Sequence, residues 1–229
     1  MQVLYFVTTA CSKKVLKPKK RATMTIFLKK TRIALSLSLA CLGVVASTHS
    51  TLAYSAETSF YSTRNHLPKL QFDLAIGDNQ RLTAKDLEGK VVLVYFGYTY
   101  CPDVCPTTMA ELALMKSSLT AQQQEQVQVL MISVDPHRDT PKRLEQYLDA
   151  FGMGALGVTG TEREIADIAK RYRVAYQIEK PQNPEYPTMY DVMHAEGIYV
   201  FDQQGRASFL ASNSHDIETM RDRIIELLN

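Results

Sequence analysis

An α/β layer fold built on a central mixed sheet is what the 229-residue sequence predicts, on three observations. Strand-like and helix-like segments alternate through the middle of the chain, an added hairpin stands at each end, and a cysteine pair follows the first central strand. That strand, Val91–Phe96, is a continuous apolar run rich in β-branched and aromatic side chains, as in a strand buried on both faces.

The N-terminal part is set apart by charge. Nine of the 26 Lys/Arg residues precede the first acid, Glu57, so beyond residue 53 the chain holds 17 basic against 24 acidic side chains, a net −7. An acidic body speaks against a nucleic-acid partner. Within the basic part, Ile33–Ala46 is an apolar run preceded by Lys29, Lys30 and Arg32, and Thr51-Leu52-Ala53 offers small residues for cleavage, so the segment reads as a secretory signal. A retained membrane anchor is the first alternative, although Ser47, Thr48 and His49 make the far end polar for a span of about 20 residues. Lipidation of Cys41 is the second, with Ser38-Leu39-Ala40 a poor match for lipid attachment. Met24 opens a more compact signal than Met1 does, so translation is expected to start there. Residues 1–53 are thus a basic extension with a signal peptide or anchor, 54–68 a polar linker, and 69–229 the folded domain, exported and periplasmic or held at the outer face of the inner membrane.

Leu70–Ala75 and Gln80–Thr83 flank the turn-rich Ile76-Gly-Asp-Asn and predict a hairpin. Thr83-Ala-Lys-Asp-Leu reads as one capped turn before the central strand. Met109, Leu112, Ala113 and Met115 recur at near-helical spacing through Thr107–Ser118. Val127–Val134 is a second apolar strand, and Thr140 followed by Pro141 caps a helix running to about Phe151. Gly152–Gly160 surrounds a short apolar piece. Thr161 with Glu164 makes a capping box, Val174–Ile178 is a further strand, and Pro181–Pro187 is a polar loop. Gly197–Phe201 and Arg206–Ala211 form the last hairpin, and Ser214 or Asp216 starts a closing helix to Leu228. The order matches a thioredoxin-like three-layer fold.

Cys101 and Cys105 sit where a buried strand hands over to a helix. Unpaired N–H groups and the macrodipole at a helix start favour a thiolate there. Pro106 suits the first helical position, with Pro102 competing for it; a start at Pro106 biases Cys105 toward extended backbone and leaves Cys101 in the loop. The pair is then free either to close into a disulfide or to splay around a metal. With Cys11 and Cys41 removed alongside a signal, one close pair remains, and that is no stapled scaffold. A structural bridge over so short a loop would remove little unfolded-state entropy.

Three blocks then carry a resemblance: Phe96-Gly-Tyr-Thr-Tyr-Cys-Pro-Asp-Val-Cys-Pro-Thr-Thr108, Ser133-Val-Asp-Pro-His-Arg-Asp-Thr-Pro141, and Tyr190-Asp-Val-Met-His194 ahead of Ile198-Tyr-Val-Phe-Asp202. In order and spacing they resemble the Sco/SenC family over roughly residues 65–229. The resemblance implies a thioredoxin-like, exported or membrane-associated copper metallochaperone. It would assist assembly of the binuclear copper centre of cytochrome c oxidase, with the copper-receiving subunit as partner. Carried over, the metal ligands would be Cys101, Cys105 and His194, holding one Cu(I) or Cu(II). Zinc accepts the same donors with a water in the fourth place. Met193 stands where the family commonly has Asp before its histidine.

The rival reading is enzymatic: a thiol–disulfide oxidoreductase in which Cys101 and Cys105 form the redox pair and reduce the cysteines of an apo-oxidase or another exported cuproprotein. Three residues between the thiols, and a histidine that thiol exchange does not need, favour metal over that reading. A peroxidase would need one low-pKa cysteine with an activating shell, which a thiol pair does not suggest. His137, His66 and His215 read as surface positions, Met189 and Met193 as core-filling thioethers more readily than ligands, and Asp103 as a loop carboxylate or a group that tunes the thiols.

Overall fold

The structure is a computed structural model, and it describes residues 57–229. The signal, anchor and lipidation readings of residues 1–53 and the start at Met24 lie outside the described residues. No helix among the described residues is long and apolar enough to cross a membrane.

The central strand is β4 (Val91–Gly97), buried at every residue. It runs parallel to β5 (Val127–Ser133), also buried throughout, in the register Val91↔Val127 to Gly97↔Ser133. Strands with no solvent face must be covered on both sides, which is why both are largely apolar, β5 carrying only Gln128 and Ser133 as polar residues. On its other edge β4 pairs antiparallel with β9 (Ile198–Phe201), so the sheet is mixed. β6 (Leu156–Val158) extends it beside β5, and β10 (Ala207–Ala211) and β1 (Phe60–Ser62) extend it beyond β9, giving the order β1-β10-β9-β4-β5-β6. Two further pairs stand outside that sheet: β2 (Asp73–Ile76) with β3 (Gln80–Thr83), and β7 (Tyr176–Ile178) with β8 (Val192–His194).

The helices are α1 (Val104–Ser117), α2 (Ala121–Glu125), α3 (Pro141–Asp149), α4 (Glu162–Tyr172) and α5 (Ile217–Leu228). Their starts follow the side chains. Thr140 and Thr161 accept from the backbone N–H groups of Arg143 and Glu164, and Asp216 accepts from that of Thr219 at 3.0 Å. The Thr83 turn closes as predicted, Asp86 accepting from the Thr83 N–H at 2.8 Å and from its hydroxyl at 2.6 Å. α3 lies against β6 at Gly157, where an added Cβ would stand 2.7 Å from Leu144 Cβ. Aromatic edges lock the core between strands and helices, Phe96 to Tyr199 at 5.8 Å and Tyr172 to Phe201 at 5.5 Å.

The mixed sheet and both hairpins agree with the sequence reading, and four details correct it. Phe60–Ser62 falls in the segment read as a linker, yet pairs with β10 as an edge strand, Phe60 packing on Phe209 at 5.9 Å. The short apolar piece at 156–158 is a sheet strand, and Val192–His194 is a strand that no periodicity announced. α1 begins at Val104, not at Pro106, so Cys105 is helical rather than extended. Pro106 is tolerated as the third helical residue because the N–H it lacks is one of the helix's unpaired donors anyway.

Candidate metal centre

The end of β4 and the first turn of α1 position the thiols. β4 stops at Gly97, the chain turns through Tyr98–Asp103, and α1 then presents Cys105 from its second residue. Cys105 is buried and Cys101, in the turn, is half-buried; no bond joins them. Gly97 makes room for this: a Cβ there would stand 2.6 Å from Tyr95 Cε1 and 3.0 Å from Cys105 Sγ. Asp103 takes the N-cap place of α1 without a side-chain bond to the helix and is exposed. The turn itself is held by Asp139, fully buried, which accepts from the Thr99 N–H at 3.0 Å, the Thr99 hydroxyl at 2.6 Å and the Ser133 hydroxyl at 2.7 Å.

The third donor arrives from the separate β7–β8 ribbon. His194 ends β8, opposite Tyr176. Its Nδ1 lies 3.1 Å from the Ala195 carbonyl oxygen. A carbonyl only accepts, so Nδ1 carries the proton and the Nε2 lone pair faces Cys105 Sγ, 3.4 Å away. The imidazole stands between the rings of Tyr95 and Tyr98, edge-on to each at 5.9 and 5.6 Å. The three donor atoms of Cys101, Cys105 and His194 lie within 4.8 Å of one another.

The two thiols are unequal. Cys101 is pulled down to about 4, chiefly by a hydrogen bond from the Cys105 thiol, against its partial burial; the backbone N–H groups of Asp103 and Cys105 assist. The Cys105 N–H donates to Cys101 Sγ at 3.5 Å, the helix-start interaction expected for a thiolate. Cys105 is pushed up, because its proton is held against the Cys101 sulfur and because its site is dry; the Tyr95 hydroxyl, donating to Cys105 Sγ at 3.4 Å, works the other way. The resting pair is therefore one thiolate and one thiol sharing a proton.

Two thiolate-capable sulfurs and a neutral imidazole fit a soft or borderline metal ion in three-coordinate geometry. Cys101 and His194 are both half-buried, so a metal here is reachable from outside. Among the described residues the remaining histidines do not join the cluster: His137 is exposed and pairs with Glu162 at 3.1 Å, His215 with Glu111 at 2.9 Å, and His66 is exposed. Met189 and Met193 are not core residues as expected but are 67% and 56% exposed. Sequence reasoning missed Tyr95 and Tyr98, the walls of the imidazole slot. Strand alternation puts Tyr95 and Gly97 on one face of β4, a signal that could have been read.

The SCO1/SenC family model matches residues 62–229. The chain belongs to the SCO1/SenC family. Among SCO1/SenC relatives, Protein SCO1, mitochondrial, of Saccharomyces cerevisiae is 35% identical over 144 residues, 63% of this chain and 48% of the yeast protein. The chain spans about half the length of the relatives it matches. The crystal structure of Arabidopsis thaliana ScoI with copper bound superposes with a TM-score of 0.62 at 30% identity, covering 70% of this chain and 97% of that one. The solution structure of apo Sco1 from Thermus thermophilus gives 0.63 at 35% identity, covering 76% and 99%. The thioredoxin-like three-layer fold of the Sco structures is the fold of this chain.

Proposed function

We propose that this protein binds one copper ion through Cys101, Cys105 and His194 and carries it to an exported cuproprotein, the binuclear copper centre of cytochrome c oxidase being the recipient that family membership favours. The observation that carries the reading is the convergence of two cysteine sulfurs and a lone-pair-bearing imidazole nitrogen within 4.8 Å. Cu(I) suits this set, and a Cu(II) form would absorb through sulfur-to-metal charge transfer. Position supports delivery: Cys101 is half-buried at a turn, so an incoming ligand can replace the protein's donors one at a time. The charge and apolar pattern of residues 29–53 supports export to the periplasm or to the outer face of the inner membrane.

The test is an anaerobic Cu(I) titration of the reduced protein against a chromophoric chelator, beside His194→Ala and Cys101→Ser. One-to-one binding weakened at least tenfold in each variant is expected. Binding unaffected by His194→Ala would remove the histidine from the ligand set.

The inequality of the thiols favours a second reading, a thiol–disulfide oxidoreductase. The Cys101 thiolate would attack a substrate disulfide, forming a mixed disulfide and releasing one substrate thiolate. Cys105, losing its proton, would then attack the Cys101 sulfur, releasing the second thiol and leaving a Cys101–Cys105 disulfide for an external thiol reductant. Reduction of the oxidase copper subunit's cysteines by the metal-free protein, undiminished in His194→Ala, would favour this reading over delivery.

A further inference from the structure

We propose that Arg138 is the positioning residue that holds His194 in reach of the two cysteines; the inference rests on the copper reading above. The need for such a residue comes from topology. The thiols belong to the six-stranded sheet and α1, whereas His194 belongs to a two-stranded ribbon that shares no ladder with that sheet among the described residues. Residues 195–197 tether the exit of the ribbon to β9, and side chains fix the segment that enters it.

Arg138 touches both sides of that gap. Its side chain is 6% exposed, and its Nε donates to Asp135 at 2.5 Å. Nη1 donates to the carbonyl oxygens of Thr188 at 3.0 Å and Tyr190 at 2.9 Å, on the segment that leads into β8. The guanidinium carbon stands 3.7 Å from the centre of the Tyr190 ring, and the Tyr190 hydroxyl donates to the other oxygen of Asp135 at 2.6 Å. On the opposite side the same guanidinium meets the rings of Tyr100 at 4.9 Å and Tyr98 at 5.6 Å. Tyr100 is the residue before Cys101, and Tyr98 is one wall of the imidazole slot. A planar fork that bonds forward to two carbonyls while stacking on aromatic faces is arginine chemistry that an ammonium cannot reproduce. With the fork removed, the 188–190 segment loses its anchor and His194 spends part of its time away from the sulfurs; the thiols keep their own supports, the Asp139 bonds to the turn and the α1 N-terminus.

The test is a double-mutant cycle on Cu(I) affinity in the reduced full-length protein, measured well below each variant's unfolding midpoint. Arg138→Met is expected to lower affinity about as far as His194→Ala, at least tenfold; Arg138→Lys is expected not to restore it; and Arg138→Met with His194→Ala is expected to bind no more weakly than His194→Ala alone. X-ray absorption of the Cu(I)-loaded Arg138→Met protein is expected to lose the imidazole scattering and keep two sulfurs. Should Arg138→Met fail to fold, Tyr190→Phe removes only the hydroxyl that braces Asp135 and is expected to give a smaller loss, absent once His194 is alanine. A parent-like affinity in Arg138→Met, or a penalty that persists undiminished beside His194→Ala, overturns the proposal in favour of a merely structural role. Parent-like binding by His194→Ala itself instead overturns the ligand set, and the proposal with it.

Discussion

Gly97→Ala tests whether the end of β4 is shaped around the sulfur. The added methyl would stand 2.6 Å from Tyr95 Cε1, where an ordinary contact needs at least 3.4 Å, so atoms must part by close to 1 Å. Tyr95 has little freedom to yield: it is fully buried, its hydroxyl bonds Cys105 Sγ at 3.4 Å, and its ring edge meets His194. Overpacking of this kind costs about 1–3 kcal/mol. At about 2–4 °C per kcal/mol for a domain of this size, the unfolding midpoint should fall by about 2–12 °C. The second near neighbour is Cys105 Sγ at 3.0 Å, so part of the strain reaches a candidate metal donor, and Cu(I) affinity should fall by about tenfold, or about 1.4 kcal/mol. Calorimetric melting of the metal-free protein and a competitive Cu(I) titration read the two effects. A midpoint within a degree of the parent together with unchanged affinity would refute the packing argument.

Two further perturbations address the thiols and the turn that holds them. Because Cys101 is held at about 4, its alkylation by iodoacetamide should be nearly independent of pH between about 6 and 8 and decline only as pH falls toward that value, with Cys105 unlabelled; mass spectrometry that finds equal labelling, climbing tenfold per pH unit, would contradict the shared-proton pair. Asp139→Ala leaves the Thr99 N–H and two buried hydroxyls without their acceptor and should cost about 3–5 kcal/mol in denaturant unfolding. Burial lifts the Asp139 carboxyl above the ordinary carboxylate range, so between the ordinary and the lifted value the folded state binds more protons than the unfolded one and stability declines as pH rises; in Asp139→Asn that component of the pH profile should vanish.

The fold was legible where burial is two-sided or where a cap is spelled out. Val91–Phe96 and Val127–Val134 announce themselves because no residue in either faces water, and Thr140 and Thr161 carry their helix starts in their own side chains. Short strands were less legible. Val192–His194 has one buried residue between exposed neighbours, too little for a period, and its pairing with β7 depends on residues more than a dozen positions away. Phe60–Ser62 looks polar because it is an edge strand with one anchoring ring. That Cys101, Cys105 and His194 belong together was readable from motif order. Their supports were not: Arg138 lies in a quoted block, yet its contacts with Thr188 and Tyr190 join loops 50 and 52 residues apart, and nothing in local spacing reports them.

The division of the donors between a deep sheet and a small ribbon has a consequence for changing the metal. The sulfurs are built into the part of the molecule whose disturbance unfolds it, but the imidazole is carried on a three-residue strand paired only with Tyr176–Ile178. That ribbon is an exchangeable cassette. Replacing His194 by a thioether or a carboxylate would retune ion preference and redox behaviour at the cost of its contacts with Tyr95 and Tyr98, so the same scaffold offers a dithiol platform on which a third ligand can be swapped by design.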